Sequence, residues 1–175
     1  MESPPPGGID LRVGSQILAS LQPFLDATAA GLTGVCVVRE SPERIHAQAG
    51  GRPITVYWLS NLERERTLRP NDLAGLAAFF SRELTESHVA VFFVEGIEYL
   101  ARIHGIDPVL DRLREFDDLA RSHEARVWLH VDPDLMRPAD LARVLAAFGG
   151  PRTPVAEDLL STGSSAGAPP GPASR

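Results

Sequence analysis

Hydrophobic and polar positions along this chain follow two rhythms, and the switches between them mark its elements. Ile17, Leu18, Leu21, Phe24 and Leu25 recur at helical spacing and predict an amphipathic helix, kinked at Pro23 and ended by Gly31. The runs Gly34–Val38 and Ile54–Leu59 are short and apolar and predict buried strands, the first closing on Arg39 and the second on Ser60 and Asn61. Between Arg69 and Glu86, Pro70, Asn71 and Asp72 supply helix-start chemistry, and Leu73, Leu76, Ala77, Phe80 and Leu84 form one apolar face. The run Val89–Val94 is apolar on both faces and stops at Glu95 and Gly96, the pattern of a strand covered on both sides. A short helix over Gly96–Ile103 follows, broken by Gly105. A second helix is expected to be capped by Asp107, with Pro108 in its first turn and Val109, Leu110, Leu113, Phe116 and Leu119 buried. Ala125–Val131 predicts another strand, ending in Asp132-Pro133, and Pro138–Phe148 a last helix with Leu141, Val144 and Leu145 inward.

Strands separated by helices of this length imply right-handed crossovers. The expected fold is therefore α/β, with a mostly parallel sheet of about four to five strands between helices. Residues 1–8 and 149–175 are rich in Pro, Gly, Ala and Ser and predict disordered termini around a single domain over 9–148. The acidic-apolar patch Val155–Leu160 in the tail has the makings of a short docking helix.

With 175 residues, 43% of them hydrophobic, the chain can bury a core of its own. Its formal net charge is −6 and no basic stripe is interleaved with aromatics, which argues against nucleic-acid binding. No run approaches a membrane span, and Met1–Asp10 lack the charged-then-apolar pattern of a secretory leader. The single cysteine, Cys36, sits in an apolar run and reads as a small core hydrophobe. A cytoplasmic location is the expectation.

In a parallel sheet Arg39, Ser60 with Asn61, Glu95 and Asp132 all fall at the carboxyl ends of their strands, hence on one rim, where open α/β sheets bind ligands. One guanidinium, two carboxylates and an amide suit a metal, a phosphate or an arginine-bearing partner. Solvation of strand ends produces the same pattern. Glu98 lies three residues beyond Glu95, close enough for paired-carboxylate chemistry. The structural alternative is that it complements the helix dipole and pairs with Arg102 at i,i+4. Arg39, Asn61, Glu95, Glu98 and Asp132 are thus the candidates for binding a ligand or partner, with no catalytic residue assigned.

Other chemistry finds little support. His46, His88, His104, His123 and His130 lack metal-ligand spacing, and no serine lies in a Gly-x-Ser-x-Gly elbow. All 17 basic residues are arginine, so no phosphate-loop lysine exists, and Ala49-Gly50-Gly51-Arg52 reads as a turn. Trp58 and Trp128 lie within strands and read as core residues whose indole nitrogens find partners. The alternating charges Glu63-Arg64-Glu65-Arg66 read as a solvated loop.

Arg39-x-x-Pro42, Trp58-Leu59, Leu68-x-Pro70-x-Asp72-Leu73-x-x-Leu76, Gly96-Ile97-Glu98-Tyr99-Leu100, Val109-Leu110 with Leu113, and Asp132-Pro133-x-Leu135 occur in this order. Over about Gly31–Phe148 this series resembles the prokaryotic domain of unknown function 835. The resemblance implies a RecA-like three-layer sandwich without its phosphate loop, in a family with no established activity whose members are often fused to sensor, kinase or receiver modules. Glu95 stands where that family usually has Asp, and His104 where Asn is common. By analogy the chain is a signalling or regulatory domain that holds a partner protein, such as a kinase or receptor, or a small ligand, without a cofactor or metal; Glu95, Glu98 and Asp132 are then recognition acids and Arg39 grips a carboxylate or phosphate. Two other readings stand beside it. One is a divergent nucleotide enzyme in which Glu95 positions magnesium and Arg39 or Arg52 replaces the lysine while residues Arg44 to Arg52 wrap the phosphates of ATP. The other is a structural subunit of a homo-oligomer.

Overall fold

The computed structural model describes residues 7–149. The expectations for residues 1–6 and 150–175, including the docking helix at Val155–Leu160, lie outside the described residues. In chain order the elements are β1 (Gly8–Val13), α1 (Ile17–Ala29), β2 (Gly34–Val38), α2 (Pro42–Ala49), β3 (Ile54–Leu59), β4 (Thr67–Leu68), α3 (Leu73–Thr85), β5 (Val91–Val94), α4 (Ile97–His104), α5 (Ile106–Ser122), β6 (Arg126–Val131) and α6 (Pro138–Phe148).

The sheet has six strands in the order β1-β6-β5-β2-β3-β4, and every neighbouring pair is parallel. The expected four to five strands are corrected by two that the apolar pattern does not announce. β1 begins at Gly8, so Gly8, expected to belong to a flexible N-terminal segment, is instead the first residue of a strand. β4 is two residues long and pairs only with β3. One further element was not expected: Pro42–Ala49 is a helix, with Ser41 Oγ accepting the Arg44 N–H at its start and Gly50 left-handed at its end. Most of the Arg44-to-Arg52 segment is therefore not a loop, and Arg52 Nη1 donates to the Ala49 carbonyl at 2.9 Å. α1 continues through Pro23 as one helix. Asp107 is not the cap of α5; Gly105 holds that position, and Asp107 lies in the first turn, paired with Arg143 of α6.

Two apolar layers close the sheet. On one face Leu21, Phe24 and Leu25 of α1 and Ile45 and Ala49 of α2 pack on Cys36, Val38, Val56, Phe93 and Trp128. On the other, α3, α4, α5 and α6 cover Val35, Val37, Phe92, Val94, Val127 and Leu129, with Phe92 meeting Phe116 edge-on at 5.3 Å. Because β2 and β5 are covered on both sides, their sequences are apolar throughout. Trp128 is a core residue as expected, but its indole nitrogen has no hydrogen-bond partner among the described residues. No helix among these residues is long and apolar enough to cross a membrane.

The topology fixes where a site can form. β2 leads through α2 to β3 on one side, whereas β5 leads through α4 and α5 to β6 on the other. The direction of winding reverses between two hydrogen-bonded neighbours, and the crevice of an open α/β sheet lies outside the carboxyl ends of such a pair. Those ends are Val38 and Val94, and the residues that follow them are Arg39 and Glu95.

Candidate functional site

At the winding reversal the chain is held together by Glu95. Its Oε2 accepts the backbone N–H of Arg39 at 2.6 Å and that of Glu40 at 3.4 Å, so one carboxylate from the β5 end ties down the turn after β2. Burial raises the Glu95 carboxyl above its ordinary range, while the two amides and the Arg39 charge pull it back. Gly96 must follow immediately. Its φ is +104°, and a Cβ there would stand 2.8 Å from Arg39 Cγ.

Arg39 is fixed along its whole length. Its amide is bound by Glu95, its carbonyl accepts Trp58 Nε1–H at 3.1 Å, and its guanidinium lies 3.7 Å from the centre of the Tyr99 ring. It nevertheless forms no salt bridge among the described residues, and its neighbour Glu40 pairs with Arg44 at 2.7 Å instead. A guanidinium already stacked on an aromatic face loses little freedom when it grips an oxyanion.

Glu98 lies in the first turn of α4 and is 6% exposed. Its Oε1 accepts the Asp132 N–H, and Asp132 Oδ1 in turn accepts the Asp134 N–H at 2.9 Å, an Asx turn that leads the chain from β6 toward α6. Burial pushes the Glu98 carboxyl up to about 7, with the charges of Glu95 and Asp132 adding to the rise and the amide bond opposing it. The i,i+4 pair with Arg102 expected from the sequence is not formed.

Four of the five sequence candidates therefore meet in two linked pairs, Arg39 with Glu95 and Glu98 with Asp132. Asn61 does not join them. It is exposed on the turn after β3, where Ser60 Oγ accepts the Leu62 N–H. One contributor, Tyr99, lies in the Gly-Ile-Glu-Tyr-Leu string but carried no role there. Trp58 finds the expected partner for its indole nitrogen in the Arg39 carbonyl, but it is only partly buried and not a core residue.

Beneath the rim an apolar cleft between α3, α4 and α5 is lined by residues including Leu59, Leu76, Phe80 and Leu113, with Glu95 and Arg112 its charged members. Its free volume is about 40 Å³. That is room for a few waters at most. The connection from β1 to α1 is Gly14-Ser15-Gln16, three residues where a phosphate loop of the lysine-bearing type requires eight. No group of three or more His, Cys, Asp or Glu suited to a metal occurs among the described residues.

The family model described as protein of unknown function (DUF835) matches residues 17–148. The chain belongs to this family. No curated protein matches the chain. Among solved structures, the KaiC-like protein PH0186 from the hyperthermophilic archaeon Pyrococcus horikoshii OT3 is similar in fold, with a TM-score of 0.52 and 14% identity. The likeness covers 73% of this chain and 64% of that one, so the DUF835 chain spans less than two thirds of that structure's length. This DUF835 domain thus has an α/β fold with a RecA-like neighbour, and at that level of identity the likeness concerns architecture.

Proposed function

We propose that this DUF835 domain is a non-catalytic regulatory interaction module that presents the switch-point rim to a protein partner. The observation that carries this reading is the Glu95 carboxylate seated on the Arg39 and Glu40 amides. Where an open α/β sheet would receive a ligand, this chain places its own acid, and the cleft below is packed nearly shut. What remains outward is the Arg39 guanidinium on its Tyr99 platform, suited to a bidentate grip on a carboxylate or phosphate of a partner. Glu95, Glu98 and Asp132 shape that surface from within by holding the loops. Signalling kinases and receptors are the partner class this reading favours, and the cytoplasm is the compartment it assumes.

Site-specific photo-crosslinking from position 61, on the same rim, tests the proposal in the cells of origin. The reading predicts a discrete adduct with a different protein that is lost in Arg39→Glu. An adduct pattern unchanged by Arg39→Glu, or adducts with a second copy of this chain alone, would overturn it.

A further inference from the structure

The spacing of Glu98 and Arg102 on α4 predicts an ion pair, and the fold prevents it. Glu98 is drawn to the Asp132 amide, while Arg102, exposed, forms no salt bridge among the described residues. Both side chains nonetheless line the same cavity, about 290 Å³, between α4 and the loop that enters α6. Ala101, Leu135 and Met136 supply its apolar lining. Its other acid, Asp140, is already engaged by Arg137 Nε at 2.7 Å.

This arrangement separates three recognition elements. A buried carboxylate and an exposed guanidinium project from one helix face, their Cβ atoms about 5–6 Å apart as i,i+4 neighbours are. An apolar wall adjoins them, and Leu135 is 56% exposed although large and aliphatic. A simple anion would meet Glu98, and a simple cation would meet Arg102. A molecule carrying both charges on one carbon satisfies both at once. The volume sits at the low end of the range for small-molecule pockets, roughly 300 Å³ upward.

We propose that this cavity binds a small zwitterion, an α-amino acid with an aliphatic side chain, whose ammonium meets Glu98, whose carboxylate meets Arg102, and whose side chain lies on Leu135 and Met136. The site is separate from the Arg39 contact. Occupancy would link α4, which carries Tyr99, to the loop entering α6, so the ligand is an effector of the domain. Burial that holds Glu98 well above the ordinary carboxyl range agrees with a group lacking its countercharge.

Calorimetry and thermal denaturation of the full chain with L-leucine, L-valine and L-methionine test this directly. At least one is expected to bind saturably in the millimolar range or tighter. Relative to L-leucine, 4-methylpentanoate, which lacks the ammonium, and L-leucinamide, which lacks the carboxylate, are each expected to bind at least tenfold more weakly. Glu98→Gln and Arg102→Gln should each weaken L-leucine by a similar factor. Because Arg102 is exposed, its variant keeps the test decisive if the Glu98 variant folds poorly. Absence of saturable binding by all three amino acids, or equal binding of 4-methylpentanoate, overturns the proposal and leaves the crosslinking result at Arg39 unaffected.

Discussion

Replacing Glu98 by glutamine separates the cost of its charge from the value of its hydrogen bond. In the folded chain the Glu98 carboxyl titrates near 7 instead of its ordinary 4.5 because it is buried beside Glu95 and Asp132. The folded state therefore binds this proton more tightly than the unfolded state. The stability it confers is complete below about pH 4.5 and is lost as pH rises through about 7. At 1.36 kcal/mol per pH unit that interval amounts to about 3 kcal/mol. Glutamine is neutral at every pH and keeps an oxygen for the Asp132 N–H, so Glu98→Gln should lack this loss. Urea unfolding of both proteins at about pH 4.5 and pH 8 measures it. The stability of Glu98→Gln relative to the parent should increase by about 3 kcal/mol between the two pH values, and taking the difference cancels groups common to both. A difference that is the same at both pH values would refute the claim that burial raises the titration of this acid.

Gly96→Ala forces a Cβ to within 2.8 Å of Arg39 Cγ at a φ of +104°. It should cost about 1–3 kcal/mol in chemical denaturation and shift the Tyr99 ring resonances by displacing Arg39. Phe92→Ala removes a fully buried ring between Phe80 and Phe116 and should cost about 3–5 kcal/mol. Asp72→Ala deletes the cap that accepts the Gly75 N–H at 2.8 Å at the start of α3 and should cost about 1 kcal/mol. Burial pushes the Cys36 thiol far above its ordinary range, so native protein should not react with a thiol reagent, and labelling should track global unfolding in urea.

How much of this was legible in the residues depended on burial. β2, β3, β5 and β6 are largely apolar because the sheet is covered on both faces, α3 announces itself through its Asp72 cap and apolar stripe, and α6 through Pro138 at its start, although Leu145, expected to face inward, is exposed. β1 was missed because it alternates, with Ile9, Leu11 and Val13 set against Asp10 and Arg12, the pattern of an edge strand and not of a buried run. α2 was missed because only Ile45 and Ala49 of its eight residues are buried, although Ser41-Pro42 ahead of it and Gly50 behind it are sound start and stop signals. β4 is too short to leave a pattern. At the rim, parallel strands were enough to bring Arg39, Glu95 and Asp132 to one edge. The direction in which each side chain turns was not readable. Glu98 had two partners within reach, Arg102 four residues on and the Asp132 amide thirty-four residues on, and only the closure of β6 beside α4 decides for the second. Asn61 has the right position in the sequence, but the turn after β3 leaves it exposed.

The crevice at the winding reversal is filled by the chain's own Glu95. Calorimetric titration of the full protein with magnesium and ATP or GTP probes this arrangement. No saturable binding is expected in the parent protein; saturable binding that disappears in Glu95→Ala would show that Glu95 serves a nucleotide and its metal instead of the Arg39 and Glu40 amides.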